Sequence, residues 1–153
     1  MIRFGFAALA LALLFTPAAA QPGAAPTIPQ TALIQPEALA DQLKAGATPT
    51  ILQVGFSVLY AQAHIPGAIY AGPGNKEEGI DNLRTQAKNL AKDKPLVIYC
   101  GCCPWNVCPN IQPAYVALRQ LNMTAFKVLR INQNFGTDWA SKGYPTEKTK
   151  TGK

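Results

Sequence analysis

The chain has 153 residues, 14 of them Lys or Arg against 8 Asp or Glu, for a formal net charge of +6. The lysines are scattered (Lys44, Lys76, Lys88, Lys92, Lys94, Lys127 and Lys142) rather than gathered into a stripe, so a nucleic-acid groove is excluded and a solvated basic surface is expected. The length allows one domain with its own core and is too short for two.

The first residues set the compartment. Met1-Ile2-Arg3 is a short positive start, Phe4 to Phe15 is an apolar run, and Ala18-Ala19-Ala20 supplies a small-residue cleavage pattern before Gln21. This is the plan of a secretory signal peptide over residues 1–20. The apolar run falls short of the ~20 residues of a spanning helix. A periplasmic or secreted protein is therefore expected, with no stable membrane insertion after cleavage. Residues 21–30, rich in Pro, Gly and Ala, read as a flexible linker.

A domain is expected over residues 31–147. Thr31 to Gln35 reads as a short edge strand. Pro36 to Lys44 reads as a helix, with Pro36 in its first turn, Glu37 early and Gly46 past its end. Thr50 to Val54 is a second apolar strand, and Ser57 to Ala63 a short helix. A turn, His64-Ile65-Pro66-Gly67-Ala68, leads into a strand ending near Tyr70. Lys76 to Leu90 carries Ile80, Leu83, Ala87 and Leu90 on one side, the spacing of a helix. Leu96 to Tyr99 is short, apolar and bounded by Pro95 and Gly101, which predicts a buried strand. A helix is predicted from Ile111 to Leu121, with Asn110 as its N-cap. Ala125 to Ile131 reads as a last strand, Phe135 to Lys142 as a last helix closed by Gly143, and residues 148–153 as a disordered tail. Short strands alternating with helices define an α/β domain with a mainly parallel sheet, whose ligands bind at the carboxyl ends of the strands.

One such end carries all the cysteines. Cys100, Cys102, Cys103 and Cys108 lie within nine residues between the predicted strand and the predicted helix, spaced Cys-x-Cys-Cys-x4-Cys. Structural disulfides gain most by closing long loops, so clustering on one loop favours chemistry over scaffolding. A helix N-terminus lowers the pKa of a nearby thiol, which makes Cys100 the candidate ionised nucleophile.

These residues resemble a known family. His64-Ile65-Pro66-Gly67-Ala68 resembles the turn motif of rhodanese-like domains. Leu96 to Cys100 with the following helix resembles that family's active-site unit. Phe135 through Trp139 to Gly143-Tyr144-Pro145 resembles its closing signature. The resemblance covers residues 31–147. It implies a rhodanese-like α/β fold, a mainly parallel five-stranded sheet flanked by helices. It also implies a sulfurtransferase of thiosulfate or persulfide type in which Cys100 carries the sulfane sulfur. The sequence departs from the family pattern at the usual Asp-x-Arg, here Gln53 and Gly55. It departs again in the loop, where nine residues separate Cys100 from Asn110 with no Arg or Lys among them.

The loop itself leaves three readings open. In a sulfur relay, Cys100 holds a persulfide while Cys102, Cys103 or Cys108 accepts or resolves it. In a thiol–disulfide exchange module, the Cys100-Gly101-Cys102-Cys103 pair does redox work. In a soft-metal module, the clustered thiolates take Cu(I). An inert loop locked by two disulfides is the bland counterpart. Gly101, Trp105, Asn106 and Asn110 are the candidate substrate-binding residues, through backbone N–H groups, an aromatic cover and side-chain amides. No organic cofactor is implied. The expected partners are a small sulfur-containing anion or a thiol, and a redox partner protein, but no nucleic acid. His64, the only histidine, is read as a structural turn residue. Tyr60, Tyr70, Tyr99 and Phe126 are read as core.

Overall fold

The structure is a computed structural model and describes residues 27–91 and 94–149. The expected signal peptide, most of the expected linker and the last four residues lie outside these.

Five parallel strands form one sheet in the order β1-β5-β4-β2-β3, with β1 Leu33–Ile34, β2 Thr50–Gln53, β3 Ile69–Tyr70, β4 Leu96–Tyr99 and β5 Phe126–Leu129. Five helices connect and close them: α1 Pro36–Lys44, α2 Ser57–Gln62, α3 Glu77–Lys88, α4 Ile111–Gln120 and the short α5 Phe135–Asp138. Each strand predicted from apolar runs is present, β4 with the expected bounds and β1, β2 and β5 shortened at their ends. The last predicted helix breaks at Trp139 and resumes as a 3₁₀ turn over Ala140–Lys142. Among the described residues no helix is long and apolar enough to cross a membrane.

The sheet is buried on both faces, which is why β4 reads as an unbroken apolar run. Its side chains alternate. Leu96 and Ile98 join Leu83 and Ala87 of α3 and Ala114, Ala117 and Leu118 of α4 in one core layer. Val97 and Tyr99 join Leu39 and Ala40 of α1, Phe135 and Trp139 in the other. Truncating a side chain such as Ile98, fully buried at the centre, costs about 2–5 kcal/mol by lost transfer and an unfilled cavity.

Two expectations fail at the ends of the domain. The expected linker is part of the core at Ile28, which is 2 % exposed and sits in the α3/α4 layer. An apolar β-branched side chain beside a sheet edge buries rather than dangles. At the other end, the polar tail is pinned where it is described. Glu147 and His64 exchange both backbone hydrogen bonds at 2.9 Å, and the Thr149 N–H donates to the Ala61 carbonyl at 3.3 Å.

Candidate active site

β4 ends at Tyr99, so Cys100 leaves the centre of the sheet at its carboxyl edge, next to β2. Val54 N–H donates to the Tyr99 carbonyl at 2.8 Å and continues the pairing of the two strands for one more step. Gln53, the last residue of β2, is buried. Its side-chain amide donates to the Cys100 carbonyl at 2.9 Å, and its oxygen accepts from the Gly55 N–H at 3.2 Å. A Cβ on Gly55 would lie 2.9 Å from the Cys100 sulfur, so only glycine admits the thiol there. The two departures from the family's usual pair are thus the residues that seat Cys100.

Gly101 then turns the chain at φ +84°, a left-handed conformation that costs a residue with a Cβ 1–2 kcal/mol or so. Its carbonyl accepts from the Phe135 N–H at 2.9 Å, and a Cβ there would meet the Phe135 side chain at 2.9 Å. Farther along, the Trp105 N–H donates to the Ile131 carbonyl at 2.7 Å. These two ties fix a loop that has no regular structure of its own.

The turn gathers all four sulfurs. Cys102 Sγ is the hub, 3.1 Å from Cys100 Sγ, 2.9 Å from Cys103 Sγ and 3.8 Å from Cys108 Sγ. All four cysteines are free thiols, with Cys100 and Cys108 buried and Cys102 and Cys103 half-buried. The sulfurs of Cys100, Cys102 and Cys108 lie within 4.8 Å of one another, so these three could also hold a soft metal ion.

Asn110 is the polar group that addresses them. It is fully buried, and its side-chain amide donates to Cys100 Sγ at 3.3 Å and approaches Cys102 Sγ at 4.0 Å. Its side-chain oxygen accepts from the Asn75 N–H at 3.1 Å. The expected N-cap bond is absent: Asn110 precedes α4 but caps nothing with its side chain. A buried amide must satisfy both ends, and here the sulfurs and the Asn75 loop outcompete the helix turn. That loop comes so close that a Cβ on Gly74 would collide with the Asn110 carbonyl oxygen.

The helix end acts on a different sulfur from the one expected. The Cys100 thiol first, and then the backbone N–H groups of Asn110 and Ile111, bring the Cys108 pKa down to about 5 against the effect of burial. The Cys100 thiol moves the other way, pushed up first by hydrogen bonding to Cys108 and then by burial. Burial and the neighbouring sulfurs likewise raise Cys103. Between the two sulfurs the negative charge is favoured on Cys108, which the Cys100 thiol faces and which the N–H groups at the start of α4 also reach.

A cleft of about 380 Å³ opens onto this end of the sheet, lined by Cys100, Gly101 and Cys102 on one side and by Gln62, Asn134 and Phe135 among others across from them. Its lining residues carry no charged side chain. A larger hollow, about 550 Å³, lies at the amino ends of β4 and β5 beside Pro95 and Ala125, and no cysteine lines it. Of the candidate binding residues, Gly101 lines the cleft and Asn110 reaches the sulfurs. Trp105 is half-buried and packs on the α3/α4 core layer, and Asn106 is exposed on the outer turn of the loop. Gln53, Gly55, Gly74 and Asn75 were not among the candidates. The first two were flagged only as departures from a motif, and the last two meet the site through folding alone.

Residues 35–111, half of the chain, match the family described as Rhodanese-like domain, and the chain belongs to that family. Solved structures agree on the fold. A crystal structure from Bacillus halodurans shares 25 % identity over 76 % of this chain and 77 % of its own, with a TM-score of 0.59. The solution structure of a Rhodanese-like domain from Anabaena shares 23 % identity over 80 % of this chain and 85 % of its own, with a TM-score of 0.56. A thiosulfate sulfurtransferase from Pseudomonas aeruginosa aligns at 23 % identity and a TM-score of 0.55, covering 77 % of this chain and 20 % of that one. No curated protein matches by sequence.

Proposed function

We propose that this protein handles sulfane sulfur, taking it up on Cys100 as a persulfide and passing it on to a thiol. The observation that carries this reading is the meeting of four free thiols at the end of the central strand, with one buried amide turned onto the Cys100 sulfur. Membership of the family supports this class of reaction, and one neighbour of this fold is named as a thiosulfate sulfurtransferase.

The residues fit a two-step covalent route. The Cys100 thiol gives up its proton to solvent, because a Cys108 thiolate of lowered pKa is too weak a base to hold it. The Cys100 sulfur then attacks the outer sulfur of the donor. The donor's S–S bond breaks, and its electron pair leaves with the departing thiolate or sulfite. The resulting persulfide sits beside the Asn110 amide, a donor that favours the anion. With no charged side chain in the cleft lining, a dianion such as thiosulfate finds no counter-charge there. An organic persulfide is the better-matched donor. Export to the periplasm or beyond, by way of the N-terminal signal pattern, and service by a redox partner protein complete the proposal.

The test is to load the reduced protein with thiosulfate or with glutathione persulfide and measure intact mass. A gain of about 32 Da that maps to Cys100 and is absent from Cys100→Ser is the expected result. Equal sulfur transfer by the two proteins would end the assignment. The mutual approach of the Cys100, Cys102 and Cys108 sulfurs favours a second reading, capture of Cu(I). Stoichiometric Cu(I) binding that resists a competing chelator, with no mass gain from either sulfur donor, would select it.

A further inference from the structure

A buried persulfide needs a way out, and the geometry of the loop supplies one. Cys100 is 2 % exposed, so the inner sulfur of its persulfide offers little to an acceptor from outside. Within the molecule the position is different. Cys102 Sγ is already 3.1 Å from Cys100 Sγ, and a disulfide needs that gap to close to ~2 Å. Residues i and i+2 do not bring their sulfurs together in an extended chain, where they point the same way about 7 Å apart or nearly so. Here the left-handed turn at Gly101 folds them together, and Phe135 holds that turn by its N–H and closes off any side chain at 101. Of the four cysteines, only Cys100 and Cys102 line the cleft. Cys102 is also half-buried rather than buried, so a reductant can reach the pair through it.

We infer that Cys102 is the resolving thiol and that the protein releases hydrogen sulfide by itself, as a persulfide reductase. The inference rests on the reading of Cys100 as the sulfur carrier. Cys102 attacks the inner sulfur of the Cys100 persulfide. The Cys100–Cys102 bond forms, the bond to the outer sulfur breaks, and that sulfur leaves with the electron pair. It leaves as hydrosulfide with the proton given up by Cys102, and takes a second proton from solvent to become hydrogen sulfide. The Cys102 sulfur is oxidised and the departing sulfur is reduced, so no outside oxidant enters. An external dithiol then reduces the disulfide, becomes a disulfide itself, and returns both thiols. The net activity is reduction of sulfane sulfur to sulfide at the expense of a dithiol. This differs from delivery of intact sulfane sulfur to an acceptor.

The experiment is a single turnover without reductant. Protein is reduced, loaded anaerobically from glutathione persulfide, freed of donor by gel filtration, and followed by intact mass and by trapping of sulfide. Wild type is expected to pass from the form about 32 Da heavier to one about 2 Da lighter than the reduced protein. It should release one sulfide per loaded chain, with fragmentation placing the bridge between Cys100 and Cys102. Cys102→Ser is expected to hold its persulfide at least ~10-fold longer and release no sulfide in that time. A wild-type persulfide as durable as that of Cys102→Ser overturns the inference and leaves the sulfur-carrying reading standing. So does sulfide release with no loss of the two hydrogens. Failure of either protein to gain sulfur removes both.

Discussion

Two segments at the edge of the sheet each bury a reactive type of side chain, and they treat it in opposite ways. In the turn before β3, His64 is 3 % exposed and fully engaged. Its Nδ1 donates to the Tyr60 carbonyl at 2.7 Å, its Nε2 lies 3.1 Å from Glu147 Oε1, and its ring stacks on Tyr60 at 3.9 Å between centroids. In the loop after β4, Cys100 is just as buried, but its sulfur meets mainly other sulfurs and one amide. The first arrangement spends every hydrogen-bonding position on holding the chain together. The second leaves polarizable, exchangeable groups in contact. Burial alone says nothing about function; what distinguishes the two is whether the buried group has a reaction available with its neighbours.

That contrast can be broken from either side, and the largest effect is expected where the reactive loop is braced. Gly74→Ala drives a methyl into the Asn110 carbonyl and should cost about 3 kcal/mol or more, read as a lowered urea midpoint. Asn110→Ala removes the amide from the sulfurs and strands the Asn75 N–H. It should cost about 2 kcal/mol and also slow persulfide loading ~10-fold, measured by the time course of the mass gain. His64→Ala should cost a similar or slightly smaller amount, ~1–2 kcal/mol, and leave the loading rate within about twofold. A loading rate that falls as far in His64→Ala as in Asn110→Ala would erase the distinction drawn between the two segments.

The last effect concerns pH. Cys108 has its pKa lowered from the 9.0 of an ordinary thiol to about 5, so between those values the folded chain binds fewer protons than the unfolded one. Its contribution to stability is fully present above about 9 and is lost as pH falls through about 5. The raised thiols of Cys100 and Cys103 act only at higher pH and in the opposite sense. Thiolate absorbance in the ultraviolet should therefore fall with a midpoint near 5 in wild type and lose that step in Cys108→Ser. A step that survives the substitution would place the anion on another sulfur.

The sheet was legible because its information is local. Pro36 at a helix start, the unbroken apolar run Leu96–Tyr99 and the turn at His64–Ala68 each declare themselves within a few residues, and α1 and β4 appear with the bounds expected. Cys100 was legible because a strand end before a helix is a recurring address for chemistry. What escaped was everything that depends on two loops meeting. Asn110 looked like a cap because local sequence offers it only a helix to cap; the Gly74–Asn75 loop, thirty-five residues away in the chain, gives it other work. The resting charge was assigned to Cys100 by proximity to a helix, yet the N–H groups at that helix start reach Cys108. Glu147, the last residue of the expected domain, gave no sign of its role because its partner, His64, is 83 positions distant.

All four thiols belong to one uninterrupted stretch held by β4 on one side and α4 on the other, with its two main-chain ties running to Phe135 and Ile131. Such a segment behaves as a cassette. Lengthening or respelling it alters the chemistry on offer while the two core layers, built from other residues, stay as they are. A scaffold of this kind lets reactivity diversify by insertion at a single site, without renegotiating the packing that keeps the domain folded.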